Sequence, residues 1–381
     1  MRISFCMIVR NEERNLPELL EAVSPFMDEM IIVDTGSTDG TASLVQRYGA
    51  RLVQHHASDL ADARNVAIEA ATGEWIVSLD ADERMTIEDL GRMRHVIQSE
   101  CDMYLFDIQT YFGNGLWTTI SLPKLYRRHP DIRWNGSIHE SLIPCAVEKK
   151  LTVEAAPLIS QHLENLEYDT SVAKRYRNIE AINQSIAMGI NVPTLLSLLA
   201  LDYYALGNVE QAYDRCRAAL SFEPDHPMAI MFLGDFSLDL RQLDKAENYY
   251  NQVLSVLNTE SGMNVLYVPG LIDDHRDRAN TNLAKIAYIR GDLDKALQYI
   301  AASKTPRIRI HHMLNEATIL QAQGHETNAL QHVKEAVRDC SFLVDRRIYG
   351  PAPQASLYRW QCSLLDGYSE QRLLPPLLSQ L

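Results

Sequence analysis

Apolar and polar positions alternate in blocks along the first hundred residues. Ile3–Val9 is a short apolar run and predicts a strand. A polar stretch, 11–15, follows, and Leu16, Leu19, Leu20 and Val23 then recur at helical spacing over 16–26. The next strand is predicted over 29–33. It runs into Asp34-Thr35-Gly36-Ser37-Thr38-Asp39-Gly40-Thr41, a turn and then a capped helix carrying Leu44 and Val45. Arg51–Gln54 predicts a third strand, 59–71 an alanine-rich helix, and 75–79, entered through Thr72-Gly73, a buried fourth strand. Strands alternating with helices predict βαβ units around a parallel sheet. From Asp102 to Arg128 the pattern becomes β, with segments at 103–108, 116–120 and 124–127 and a hairpin-type turn at Gly113-Asn114-Gly115. From about Tyr168 onward the chain reads as helical throughout.

Composition narrows this picture. The chain has 381 residues, 46% hydrophobic and 23% charged, which suits two or three soluble domains. Its formal net charge of −14 argues against a nucleic-acid partner and against a surface held to anionic lipid. The apolar run after Met1-Arg2 is too short for a membrane span and lacks a leader's cleavage pattern, so a cytoplasmic chain without a transmembrane segment is expected. Cys6, Cys101, Cys145, Cys216, Cys340 and Cys362 form no close pairs, and free thiols in a reducing compartment are expected.

Candidate chemistry gathers at the ends of the predicted strands. Asp80 and Asp82 follow the strand at 75–79, and ligands of open α/β sheets bind outside the carboxyl ends of strands. Carboxylates placed there suit Mg²⁺ or Mn²⁺, which take oxygen ligands and often bridge to substrate phosphates. The plainer reading is an acidic start to the helix after Met85-Thr86. Asp34, at another strand end, has the chemistry to accept a hydrogen bond from a base or ribose, while Ser37, Thr38 and Gly40 also fit a turn and helix cap. Arg64 would place a cation near a diphosphate or simply be a solvated helical arginine.

Together these segments resemble a family 2 glycosyltransferase of GT-A fold. They stand here as Ile8-Val9-Arg10-Asn11-Glu12-Glu13, 32–41, Ala63-Arg64-Asn65 and Leu79-Asp80-Ala81-Asp82-Glu83. The resemblance implies a metal-dependent inverting transfer from a nucleotide-diphosphate sugar, usually a UDP-sugar. It places Val9, Asn11, Glu12, Asp34, Ser37, Arg64, Asp80 and Ala81 at the donor, with Asp34 on uracil and Asp80 near the ribose. Asp82 then binds the metal, and a late histidine, His162, is a second ligand candidate. The family usually carries a Glu-Asp pair beyond the acceptor-side strands, where this chain has His139-Glu140. Glu140 is the expected catalytic base, with His139 either assisting it or touching the metal.

The helical half carries a repeat. Gly207-Asn-Val-Glu-Gln-Ala212 is echoed at Arg241 to Ala246, Gly291 to Ala296 and Gly324 to Ala329. The alanines are spaced 246−212 = 34, 296−246 = 50 and 329−296 = 33 residues apart, and two of these spacings fit the tetratricopeptide period of about 34. An inserted loop at 262–277 accounts for the wide spacing. The expected organisation is an α/β GT-A domain (1–165), an all-α tetratricopeptide solenoid (166–345) and an irregular cap (346–381). The repeats would bind the acceptor (a peptide, protein side chain or cell-surface glycan), a protein partner, or a second copy in a homodimer. The rival reading is a catalytically inactive scaffold that binds a protein partner through the repeats.

Overall fold

The computed structural model describes residues 1–347 except 57–58, 98–99, 114–115, 137–139, 164–167, 188, 190–191, 260–268, 304–308 and 345–346. Apart from residue 347, the expected cap lies outside the described residues, as do Asn114-Gly115 of the expected hairpin turn and the 262–268 part of the expected inserted loop. Contacts divide the chain into two compact units, residues 1–109 with 120–164 and residues 110–119 with 165–381.

The first unit is α/β. Strands β1 (Ile3–Val9), β2 (Glu29–Asp34), β3 (Arg51–Gln54) and β4 (Trp75–Val77) are parallel and are connected by helices α1 (Leu16–Val23), α2 (Thr41–Arg47) and α3 (Leu60–Ala70). A two-residue strand β5 (Glu83–Arg84) and helix α4 (Ile87–Val96) precede β6 (Met103–Gly113) and β7 (Leu116–Arg127). Helix α5 (Ile143–Lys149) and β8 (Val153–His162) complete a sheet of order β3-β2-β1-β4-β7-β6-β8-β5. β7 runs antiparallel to β4, and β8 antiparallel to β5, so the sheet is mixed.

A parallel strand covered on both faces must be apolar on both, which is why β1 reads as an unbroken run rather than an alternating one. On one face Phe5 and Met7 share a core with Leu16, Leu19, Leu20 and Val23 of α1. On the other, Cys6 packs with Ala63, Ala67 and Ile68 of α3. Each fully buried leucine of α1 contributes about 1.5–3 kcal/mol. The helix predicted over 16–26 ends at Val23, and Pro25 continues it only as a 3-10 turn. The segments predicted at 116–120 and 124–127 form one strand running through Pro123.

Apart from residues 110–113 and 116–119, which belong to β6 and β7, the second unit as described is helical. After α6 (Tyr168–Ala187) come four antiparallel pairs: α7 (Val192–Ala205) with α8 (Val209–Phe222), α9 (Pro227–Asp239) with α10 (Leu243–Val256), α11 (Pro269–Ile289) with α12 (Leu293–Ala302), and α13 (Arg309–Ala322) with α14 (Glu326–Asp339). The four pairs turn alike. Gly207, Arg241, Gly291 and Gly324 all take positive φ, between 58° and 83°. The next residue's N–H closes each turn on a carbonyl five residues back: Asn208 to Tyr203, Gln242 to Ser237, Asp292 to Ala287 and His325 to Leu320. The alanines that mark the repeat, Ala212, Ala246, Ala296 and Ala329, are fully buried where the paired helices meet. One expectation fails here. Residues 269–277, read as part of an inserted loop, are the first turns of α11. Proline is tolerated at a helix start, and no breaker follows Gly270. Among the described residues no helix is long and apolar enough to cross a membrane, and Cys6, Cys101, Cys145, Cys216 and Cys340 are free and buried.

Candidate active site

The carboxyl ends of β1, β2 and β3 lie side by side, with Val9 in register with Asp34 and Asp34 with Gln54. Asp34 is 2% exposed. Its Oδ1 accepts from the Gly36 N–H (3.1 Å), the Ser37 N–H (2.8 Å) and the Ser37 hydroxyl (2.7 Å), while Oδ2 accepts from Gln54 Nε2 (3.0 Å). Burial works to raise this carboxyl, and the donors from Ser37, Gln54 and Gly36 outweigh it and hold it below the usual range. Gly36 sits at φ +113°, a conformation closed to most side chains. The loop after β1 is sewn to the loop after β2. Asn11 N–H donates to Ser37 Oγ, Thr38 N–H to Asn11 Oδ1, and Glu12 N–H to Thr41 Oγ1. Glu12 also accepts from Asn15 Nδ2, and the Val9 carbonyl accepts from the Thr35 N–H.

A second cluster is built around Arg64 of α3. Asp59 caps that helix, accepting from the Asp62 N–H, which fixes where Arg64 emerges. Arg64 donates from Nη2 to Asp80 Oδ1 (2.7 Å), from Nε to Glu140 Oε1 (2.8 Å) and from Nη1 to Ser78 Oγ (3.3 Å). Its guanidinium lies 4.7 Å from the ring centroid of Trp134. The neighbouring Asn65 exchanges two hydrogen bonds with the Trp134 backbone. Trp134 itself is core, its Nε1 donating to the Tyr126 hydroxyl.

Lys124 comes from β7, whose carbonyl at that residue accepts from the Ser78 N–H. Its Nζ is 2.8 Å from Glu83 and 3.5 Å from Asp80. Burial would lower the Lys124 pKa, and the charges of Glu83 and Asp80 raise it above the usual value instead. Burial would likewise raise Asp80, yet Arg64 and Lys124 hold it well below the carboxylate range. Ala81 is buried, and its carbonyl accepts from Arg84. Asp82 faces His162, with Nε2 3.1 Å from Oδ2. The pairing of β5 with β8 brings them together, placing Glu83 in register with His162.

The structure thus brings Arg64, Asp80, Asp82, Glu140 and His162 to one region of the first unit, and Val9, Asn11, Glu12, Asp34 and Ser37 to the adjoining strand ends. His139 lies outside the described residues. Arg64 has its charge taken up by Asp80 and Glu140 rather than standing solvated on its helix. Reading by segment missed Lys124 and Gln54, whose partners lie on other strands. Among Asp80, Asp82, Glu83 and Glu140 there are four carboxylates against two cations, Arg64 and Lys124, which leaves a formal −2 before His162 is counted. Among the described residues no three histidine, cysteine or acidic side chains form a ready-made metal cage. A carboxylate oxygen and an imidazole nitrogen at hydrogen-bond distance nonetheless suit a divalent cation that draws its remaining ligands from diphosphate and water.

Residues 4–151 match the family model Glycosyl transferase family 2. A tetratricopeptide repeat-containing protein of Synechococcus elongatus is 38% identical over 140 residues, 36% of this chain and 35% of the relative. The prophage-derived glycosyltransferase SunS of Bacillus subtilis is 22% identical over 229 residues, 56% of this chain and 52% of the relative. The chain therefore spans between a third and about half the length of these curated relatives. Among solved structures, glucosyl-3-phosphoglycerate synthase of Mycobacterium tuberculosis aligns with a TM-score of 0.38 at 15% identity, covering 50% of this chain and 80% of that one.

Proposed function

We propose that the chain is a metal-dependent, inverting glycosyltransferase that moves a sugar from a nucleotide-diphosphate donor, a UDP-sugar, to an acceptor. The observation that carries this reading is the Asp82–His162 pair, set beside the Arg64 cluster in a domain that matches glycosyl transferase family 2. Asp82 and His162 would hold Mg²⁺ or Mn²⁺, which when bound offsets the charge that builds on the departing nucleoside diphosphate. Asp34 and the loops sewn around Ser37 would receive the nucleoside, and Asp80 would lie near the ribose. In a single displacement the acceptor attacks the anomeric carbon as the bond to the diphosphate breaks. Glu140 takes the acceptor's proton. Arg64 Nε holds Oε1 of Glu140, which leaves Oε2 for that proton. The acceptor class is a peptide or protein side chain, or a cell-surface glycan, and the helical repeats are the surface proposed to bind it, or to pair two copies of the chain.

The test is thermal melting of the full chain with UDP, GDP and several UDP-sugars, each with Mn²⁺ and with EDTA. Ligands that bind only the folded state raise its melting temperature by mass action. An upward shift with UDP that requires Mn²⁺ is expected. No shift with any nucleotide would overturn the donor reading and favour the scaffold.

A further inference from the structure

Asp34 has two carboxylate oxygens in different situations. Oδ1 already accepts three donors from Gly36 and Ser37, which fills it. Oδ2 accepts one, from Gln54 Nε2. Any N–H that a ligand brings to Asp34 must therefore arrive at Oδ2, directly beside the Gln54 amide. That amide is exposed at the carboxyl end of β3, the edge strand of the sheet, and is in register with Asp34. A primary amide carries two N–H groups, and only one of them is spent on Asp34.

We infer that Gln54 reads the nucleobase together with Asp34, a specificity-determining role that rests on the donor reading above. Side by side, the pair presents an acceptor, Asp34 Oδ2, and a donor, the second N–H of Gln54. Uracil presents the complement along one edge: an N3–H donor next to the O4 acceptor. Cytosine has a bare N3 and an amino group at position 4, so the same two protein atoms meet an acceptor and a donor in the wrong order. The register of β2 with β3 thus places a discriminator for uracil at the rim of the site. A site that hydrogen-bonds a polar group loses heavily when an analogue cannot answer it.

The experiment is calorimetric titration of the full chain with UDP and with CDP, both with Mn²⁺, for the wild type, Gln54→Ala and Gln54→Glu. Because Gln54 is exposed on an edge strand, both variants are expected to fold, and their melting temperatures in the absence of nucleotide check this. The wild type should prefer UDP. Gln54→Ala should weaken UDP about tenfold while leaving CDP nearly unchanged, the worth of one hydrogen bond at about the upper end of its range. Gln54→Glu, which offers an acceptor in place of the donor, should weaken UDP further and narrow or reverse the preference. Equal losses for UDP and CDP, or no loss for either, would overturn the role of Gln54 while leaving the donor reading in place. A wild type that binds neither nucleotide would overturn both.

Discussion

At the scale of single residues, the site separates carboxylates by what faces them. Asp80 and Glu140 share one buried guanidinium, Glu83 and Asp80 share one buried ammonium, and Asp82 faces an imidazole. Replacing Asp82 with Asn keeps the shape and removes the charge. Asp82→Asn should abolish the Mn²⁺-dependent UDP shift while leaving the unliganded melting temperature within a few degrees of wild type. Full turnover by that variant would remove Asp82 from the metal. Glu140→Gln should retain the UDP shift and lose at least a hundredfold in transfer, the usual scale of general-base catalysis. Unchanged transfer would move the base elsewhere. Asp34 and the Asp80-Ala81-Asp82 segment stood out in the sequence because each follows an apolar run. Gln54 and Lys124 did not. The first lies in a plain strand segment, and the second follows Pro123 in a strand that reads as two pieces. Their significance comes from register with β2 and β4, which no local pattern carries.

Elements tell the same story in a different way. The α/β order of the first unit follows from apolar runs such as 3–9, because a strand buried on both faces is apolar on both. The helical repeats were legible from four turns and four alanines. Their one misreading, residues 269–277, came from taking Pro269 and Gly270 as breakers when they stand at a helix start. Arg241 tests the repeat logic. It occupies the left-handed conformation that glycine takes in the other three turns, which costs a side-chain-bearing residue about 1 kcal/mol. Arg241→Gly should therefore stabilise the chain by about 0.5–1 kcal/mol, read as a rise in denaturant midpoint, with part of the gain offset by the freer unfolded chain. A fall in midpoint would mean that the Arg241 side chain makes contacts worth more than its strain.

For the molecule as a whole, the helical unit holds a pH liability. Burial pushes His226 down to about 4, aided by the charge of His275, and burial alone pushes His312 to about 4. An unfolded histidine titrates near 6.5, so the unfolded chain binds the extra protons first as pH falls. Stability is then intact above about 6.5 and withdrawn between there and about 4. Melting followed by helical circular dichroism should show a lower midpoint at pH 5 than at pH 7, with a loss on the order of 1–3 kcal/mol. His226 also caps α9 by accepting from the Ala229 N–H. His226→Asn, which keeps a capping acceptor, should flatten part of that pH dependence, and an unaltered slope would assign the effect to other groups.

The meeting of Asp82 and His162 carries a consequence in time as well as in space. The two residues are 80 positions apart, and only the pairing of the last strand, β8, with β5 brings them into reach. During synthesis the first hundred residues would emerge with Asp80 and Asp82 in place and no imidazole opposite them. A cation held between Asp82 and His162 would then act as a clasp on a long loop, and the chain entropy it removes grows with the logarithm of that loop. Metal uptake would report completion of the sheet, and a chain truncated before His162 would be blind to Mn²⁺ even with both aspartates present.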